Sequence, residues 1–262
     1  MNRRHPSGLT RWLGWGTGSL ALIAMLLTGY AAFSGDDETA TTSDRPPAAT
    51  APIPQSTYGA PSDWAEPDRW AALPRGARTD GQGNEVDFPR TVAGAVAMLA
   101  ASNSTEFNAE RSHVDVQLGV YESYLLPADR TEENRARIRQ GATDNDALLL
   151  RTMGLPEGAA LPAGAYSRNQ VVGFQVIEAS PTRVSAWLLS RATMKPGESA
   201  KEQGSYTSTL AAAEWAHGSW WVSAASTEKV MRRHGRDERP PIAAPGDAAF
   251  NSGGWTAIRA AS

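Results

Sequence analysis

Apolar positions in the middle of the chain recur at helical spacing. Thr91 suits the N-cap of a first helix, because apolar residues follow it at intervals of three and four. A second helical pattern covers residues 112–126. A third begins near Asp129 and continues to Met153 unless the patch at 141–146 breaks it in two. We therefore predict helices over the first half of the folded region.

After the third helix the pattern changes to the alternation that is typical of β-strands. It predicts strands over residues 167–179, with a bulge or bend at Gly173, and over 184–194. Residues 206–224 form two runs joined at His217-Gly218, where glycine supplies the positive φ of a tight hairpin turn. Helices followed by at least four antiparallel strands predict an α+β fold, with helices packed on a curved antiparallel sheet.

Three tryptophans lie at this predicted turn: Trp215, Trp220 and Trp221. Neighbouring residues on a strand point to opposite faces, so we expect either Trp220 or Trp221 to pack inward. Large aromatic residues mostly serve burial, which favours anchors of a sheet edge over a ligand platform. The hairpin is predicted to end the sheet.

Residues 12–33 form a charge-free run of 22 residues, long enough to cross a bilayer as a helix. Three arginines precede the run and three acidic residues follow it: Arg3, Arg4, Arg11, Asp36, Asp37 and Glu38. The positive-inside rule then makes residues 1–11 cytoplasmic and the body extracytoplasmic. We expect a single-pass protein of the cell membrane that contacts the lipid bilayer through residues 12–33.

The alternative is a cleaved signal peptide and a secreted binding module. The apolar core of a signal peptide is usually about 7–15 residues. Residues 30–34 also offer no small-x-small cleavage site, so we favour an uncleaved anchor. Gly14 and Gly18 form a small-xxx-small pair, which leaves a homo-oligomer open.

Residues 34–87 are predicted to be an extracytoplasmic tether rich in Pro, Ala and Thr. Such a chain buries too little apolar surface to offset its ordering entropy, so it should be disordered. Trp64 and Trp70 interrupt it. They have two interpretations: a short helical turn that rests on the domain, or a docking motif for a partner protein.

The folded body is predicted to span residues 88–228, and a flexible tail residues 229–262. Phe250 and Trp255 are the only candidates in this tail to dock. The 262-residue chain has a net charge of −3. Without the three arginines before the apolar run, its 25 basic residues become 22 against 28 acidic ones, a charge of −6. We expect no nucleic-acid partner, because a mildly acidic body lacks the electrostatic footprint.

Few residues indicate catalysis. The chain has no cysteine, its histidines lack metal-ligand spacing, and no nucleophile or phosphate-loop motif is present. We expect no cofactor, no metal and no enzymatic activity. His113 and Asp115 would not face one another on a helix, so His113 is interpreted as a surface residue. The rival hypothesis is an enzyme or small-ligand domain with a polar interior cavity. Its groups would come from the second helix: Asp115, Tyr121, Glu122 and Tyr124.

The order of helices and a long meander, closed by W-x-x-G-x-W-x-V at Trp215, Gly218, Trp220 and Val222, resembles nuclear-transport-factor-like cone domains. The stretches FPRTVAGAVAML, VVGFQVIEASPTRVSAWLL and AEWAHGSWWVSA are more similar to a group of actinobacterial single-pass membrane proteins of uncharacterised function. The resemblance covers roughly Phe88–Glu228 and implies a cone-like, cystatin-like domain. It also implies an architecture similar to the bitopic subunits of conjugative and type IV secretion machines.

These observations lead to one main hypothesis. The chain is a membrane-anchored extracytoplasmic domain that binds other membrane or envelope proteins, as a component or accessory of a conjugative or secretion assembly. Its predicted docking residues are Trp64 and Trp70. The alternative is a cone-fold enzyme or small-ligand-binding domain with a polar interior cavity.

Overall fold

The computed structural model describes residues 64–234 and 238–259. None of the helices formed by these residues has both the length and the apolar character needed to span a membrane. Three predicted segments lie outside the described residues: the cytoplasmic residues 1–11, the membrane helix 12–33 and the part of the tether before Trp64.

The helices and strands of the described residues are short towards both ends of the chain and long in the middle. The helices are α1 (Val92–Asn103), α2 (His113–Tyr124), α3 (Glu132–Thr152), α4 (Ala224–His234) and α5 (Ala248–Ser252), with a 3₁₀ turn at Pro127–Asp129. The strands are β1 (Trp70–Ala71), β2 (Arg78–Thr79), β3 (Glu85–Val86), β4 (Thr105–Asn108), β5 (Tyr166–Ala179), β6 (Arg183–Lys195), β7 (Gln203–Ala216), β8 (Ser219–Val222) and β9 (Thr256–Ile258).

Most of the strands form one seven-stranded sheet in the order β1-β9-β5-β6-β7-β8, with β4 also paired to β5. The long strands β5, β6 and β7 pair antiparallel, as the sequence predicted. β1 pairs with β9 in parallel, and β2 and β3 form a separate two-stranded sheet. The fold is therefore α+β, with helices packed on a mostly antiparallel sheet.

Gly173 marks an irregularity in β5, as predicted. The register of the β5–β6 pair shifts between Val171 and Gly173. A Cβ atom at position 173 would lie 3.3 Å from Phe250 Cε2 and 3.3 Å from the Thr256 carbonyl oxygen. The missing side chain therefore lets α5 and β9 approach this strand closely.

The β7–β8 hairpin ends the sheet where the sequence placed it. His217 and Gly218 have φ values of 53° and 80°, so both turn residues are left-handed. Two such residues form the turn whose twist matches that of the flanking strands. Glycine adopts this conformation without strain at the second position.

The tryptophans at this hairpin divide between the two faces. Trp220 is buried, packs edge to face on Trp215 at a centroid distance of 5.3 Å, and donates its indole N–H to the Pro89 carbonyl at 3.0 Å. Trp221 is only partly buried and donates to the Ala216 carbonyl at 2.8 Å. Trp220 is therefore the inward member of the pair.

α1 lies on one face of the sheet. The Thr91 hydroxyl accepts a hydrogen bond from the Gly94 amide at 3.0 Å, which confirms the predicted N-cap. The small and apolar residues of this helix are buried against alternate residues of β6: Val184, Ala186 and Leu188. This face of the sheet carries the main core.

α3 is one continuous helix of 21 residues, so of the two alternatives for this segment the uninterrupted helix is confirmed and the break at 141–146 does not occur. The helix also begins after Thr131 rather than near Asp129, because the Thr131 hydroxyl accepts the capping bond from the Asn134 amide at 3.1 Å. A glycine inside a helix costs only about 1 kcal/mol, which packing can offset. The packed residues share one face of the helix: Ile138, Ala142 and Leu150.

Residues 64–87 belong to the sheet and its core, in contrast to the tether predicted for them. β1 pairs with β9, and the Ala65 amide donates to the Gly246 carbonyl at 2.8 Å. Val86 and Phe88 enter the main core. The partners of Ala65 and β1 lie at the other end of the chain, where local composition cannot reveal them.

Residues 238–259 cover the second face of the sheet, where the sequence predicted a flexible tail. Phe250 and Trp255, the two docking candidates, are fully buried and belong to one cluster with Trp187 and Leu189 of β6. β9 pairs with β5. These apolar residues fill separate gaps on the sheet and do not form a helical stripe, so no periodic pattern in the sequence predicted that this segment packs there.

Replacing Trp220 with Ala should lower the free energy of unfolding by about 3–5 kcal/mol, because the change leaves a cavity in the core. The adjacent change Trp221→Ala should cost clearly less, since that ring is only partly buried. Chemical denaturation followed by circular dichroism gives both values. Equal losses would show that the hairpin does not pack as described.

α4 ends in a cluster of charged side chains. The His234 ring contacts Glu238 at 2.6 Å through Nδ1 and Glu178 at 3.3 Å through Nε2, and Arg233 pairs with Glu178 at 2.9 Å. Hydrogen bonds to Glu238 and then Glu178 raise the pKa of His234. Hydrogen bonds from His234 and Arg233 lower the pKa of Glu178.

The change His234→Gln should lower the melting temperature more at about pH 5.5 than at about pH 9. Because the pKa of folded His234 lies above its ordinary value of about 6.5, its stabilisation is complete below that value and is lost as the pH rises through the folded pKa. The lowered pKa of Glu178 keeps this carboxylate charged at about pH 5.5. Melting curves of both proteins at the two pH values provide the test, and equal shifts at both would contradict it.

Candidate functional site

Trp64 and Trp70, the predicted docking residues, lie close together where the described chain begins. Neither is in a helical turn, which was one interpretation of them: Trp64 is in irregular chain and Trp70 begins β1. Trp64 is 58% exposed and Trp70 is 38% exposed. Both are therefore among the large apolar side chains that this part of the protein leaves open to solvent.

The carboxylate of Glu66 joins the two indoles. Trp70 Nε1 donates to Oε1 at 3.1 Å, and Trp64 Nε1 donates to Oε2 at 3.4 Å. The Arg259 guanidinium lies 5.5 Å from the centroid of the Trp70 ring. We call Trp64, Glu66, Trp70 and Arg259 the aromatic surface. Because each indole N–H already has an acceptor, the exposed area of each ring is mostly apolar carbon.

The C-terminal segment fixes the backbone beneath the aromatic surface. The Asp68 amide donates to Asn251 Oδ1 at 3.0 Å, and Asn251 Nδ2 donates to the Glu66 carbonyl at 3.0 Å. Gly246 lies under the Trp64 ring, where a Cβ atom would overlap the ring. A partner would thus meet two indoles that are already held in place, which reduces the entropy lost on binding.

The carboxylates considered for an interior cavity are engaged elsewhere. Asp115 bonds to Ser112, the N-cap of α2: its amide donates to the Ser112 hydroxyl at 3.1 Å, and that hydroxyl donates to its carboxylate at 2.7 Å. Glu122 forms an ion pair with Arg135 of α3. Neither carboxylate points into the main core, which apolar side chains fill.

The two tyrosines of α2 are structural. The Tyr121 hydroxyl donates to the Thr131 carbonyl at 2.9 Å, and the Tyr124 hydroxyl donates to the Glu85 carbonyl at 2.9 Å. Burial raises the pKa of both hydroxyls. Both therefore act as neutral donors that join α2 to neighbouring segments.

Glu122 and Tyr124 do line a small depression of about 160 Å³ between α2, β8 and the β2–β3 hairpin. One of its acidic residues, Asp80, accepts hydrogen bonds from the amides of Gln82 and Asn84 at 2.9 and 3.0 Å. Burial opposes ionisation of Asp80, but hydrogen bonds to its carboxylate outweigh burial and lower its pKa. These contacts shape the hairpin turn and leave Asp80 poorly suited to accept a proton.

A larger cleft of about 440 Å³ lies between α2, α3 and the loop at 157–161. His113 lines it and is only 3% exposed, so its expected surface position is wrong. The ring stacks on Phe107 with a centroid distance of 4.4 Å and an interplanar angle of 13°. His113 is buried because the first turn of α2 packs against β4 and α3. We call this the His113 cleft; its main residues are Phe107, His113, Asp146, Leu150 and Leu161.

Asp146 of α3, and not Asp115, supplies the carboxylate beside His113. His113 Nδ1 lies 3.4 Å from Asp146 Oδ1, yet it has no hydrogen-bond partner. His113 Nε2 lies 3.3 Å from Gln117 Nε2. The spacing of His113 and Gln117, four apart on one helical face, is the sequence signal that could have identified this position.

The part of the chain that the structure describes, 64–234 and 238–259, contains no group of three or more His, Asp or Glu residues that could hold a metal ion. Comparisons of the chain with protein-family models, with curated proteins and with solved structures give no match. The resemblance to membrane-anchored cone domains thus stays a prediction from the sequence.

Proposed function

We propose that the chain is a single-pass membrane protein whose extracytoplasmic domain binds another membrane or envelope protein through the aromatic surface. The exposure of Trp64 and Trp70 side by side carries this proposal. Large aromatic side chains are normally buried, and tryptophan and arginine most often dominate the binding energy of protein interfaces. The aromatic surface combines two tryptophans with Arg259.

The amino-acid sequence supports the membrane part of the proposal. Residues 12–33 have the length and composition of a membrane-spanning helix, with basic residues before them and acidic residues after them. The aromatic surface lies where the described domain joins the preceding chain. Residues 34–63 would separate it from the bilayer, and 30 residues can reach at most about 100 Å. The partner would therefore lie in the same membrane or in the layer beside it.

The chemistry of the aromatic surface narrows the class of partner. The indole rings need an apolar counterpart, because their N–H groups are already bonded to Glu66. Arg259 is exposed and can meet a carboxylate of the partner. The net charge of −6 beyond the N-terminal arginines does not favour nucleic acid. A protein surface with an apolar patch beside an acidic residue fits best.

A conjugative or secretion assembly is the setting that we infer. The predicted order of a short cytoplasmic segment, one membrane helix, a tether and a cone-like domain is similar to that of bitopic subunits of such machines. Helices α1 to α3 precede the meander β5 to β8, which supports the comparison with nuclear-transport-factor-like cones. The alternative of a small-ligand domain is favoured by one observation, the His113 cleft, which lies outside the main core.

A photo-crosslinking amino acid at the exposed position Asp68, in cells that naturally make the full-length protein, should yield an adduct with one envelope protein. The double change Trp64→Ser and Trp70→Ser should lower the yield by about tenfold or more, because interface tryptophans often contribute about 2 kcal/mol or more each. Immunoblotting measures the yield, and mass spectrometry identifies the partner.

Val92→Ser is the matched control. Val92 is also an exposed apolar residue, at 42%, but it begins α1 three residues after Pro89, which is bonded to Trp220 of β8 at the other edge of the sheet from β1. This change should leave the yield unaltered. An adduct of equal yield in the double variant, or adducts with cytoplasmic proteins only, would contradict the proposal.

A further inference from the structure

We propose that the His113 cleft binds a small organic molecule with a hydroxyl group on an apolar body, such as a phenol or an aliphatic alcohol. Its volume of about 440 Å³ lies within the range of about 300–1,000 Å³ that is usual for small-molecule sites. The cleft shares no residue with the aromatic surface. The inference therefore concerns a second function of the domain, independent of protein docking.

The buried imidazole of His113 is the main observation. The ring is 3% exposed and is held flat against Phe107, yet its Nδ1 atom has no hydrogen-bond partner. Buried polar atoms in folded proteins nearly always have a partner, because an unmet hydrogen bond is costly away from water. A group that enters the cleft can supply the missing partner.

The neighbours of the ring set the position of its proton. The amide nitrogen of Gln117 faces Nε2 at 3.3 Å, and in the tautomer in which Nε2 accepts this hydrogen bond the ring carries its hydrogen on Nδ1. Nδ1 is then a donor. The Asp146 carboxylate, 3.4 Å away and partly exposed, is an acceptor.

A donor beside an acceptor is a pair that one hydroxyl group can join. Its oxygen would accept from His113 Nδ1, and its hydrogen would be donated to Asp146. At the position beside His113, a carboxylate group would be repelled by Asp146, and an ammonium group would leave Nδ1–H without an acceptor. A metal ion would lack a third protein ligand among the described residues. The hydroxyl group is thus the chemistry that satisfies both sides.

The remaining wall of the cleft is more apolar than polar, and its polar residues are Asn108, Arg111, Ser112, Thr143 and Glu157. Its apolar residues come from β4, α3 and the following loop: Phe107, Ala147, Leu149, Leu150, Ala160 and Leu161. A few fixed polar groups within an apolar pocket are typical of sites that orient a small ligand. The apolar residues suit a ring or a short aliphatic chain, and the polar end fixes the orientation of its hydroxyl.

The test follows the Cε1 resonance of His113 by NMR in the full-length protein, labelled with ¹³C at histidine. The change His113→Phe, which keeps an aromatic ring against Phe107, assigns this resonance. p-Cresol should shift it in a saturable way. 4-Methylanisole, which has the same ring but cannot donate a hydrogen bond, should bind about tenfold more weakly, as should 4-methylbenzoate.

Asp146→Ala should raise the dissociation constant for p-cresol by about tenfold, because it removes the charged acceptor. Asp144→Ala is the matched control, since Asp144 lies two residues away on the same helix and bonds to Gln140 outside the cleft. It should leave the constant unchanged, and melting curves check that both variants fold. Three outcomes would overturn the proposal: no shift by p-cresol up to its solubility limit, equal binding of 4-methylanisole, or an unchanged constant in Asp146→Ala.

Discussion

The central strand β6 is buried on both faces, and the rest of the fold depends on this constraint. Every residue from Val184 to Ser190 is buried, and alternate side chains enter two different apolar clusters. Such a strand is stable only when both faces of the sheet are covered. α1 covers one face. α4 and residues 238–259 cover the other, so the C-terminal part of the chain is as necessary to the domain as its helices.

The segments that surround the sheet form both candidate sites. Residues 238–259 bring β9 between β5 and β1, and they carry the contacts that hold Trp64 and Trp70 in place. We call residues 238–259 the C-terminal cover. The aromatic surface lies where this cover meets the chain that leads towards the predicted membrane segment. The His113 cleft arises on the helical side, where α2 and α3 meet without filling the space between them. One surface suits a protein and the other a small molecule, and neither requires the other.

Features with a local signal could be predicted from the sequence, and features that depend on distant partners could not. Thr91 as an N-cap and the turn at His217-Gly218 follow from neighbouring residues alone. β1 and β9 contain two and three residues, too few for a periodic pattern, and they pair with each other, and β9 also with β5, far away in the sequence. Trp255 could be identified as a docking candidate from the sequence, but the strands on which it packs could not, for the same reason. Trp64 and Trp70 could be recognised in the sequence as two tryptophans in a polar stretch. The contact between His113 and Asp146 joins two different helices, so no sequence spacing predicts it.

Hydrogen exchange of the intact protein, measured by mass spectrometry, tests most directly whether the C-terminal cover is an integral layer. The Ala257 amide donates to the Arg69 carbonyl at 2.9 Å, and its side chain lies in the second cluster with Trp187. If both faces of β6 must be covered, removing this cover exposes the core, and peptides from β9 and α5 should exchange with the same free energy of opening as β6. Rapid exchange of β9 and α5 while β6 stays protected would contradict this account.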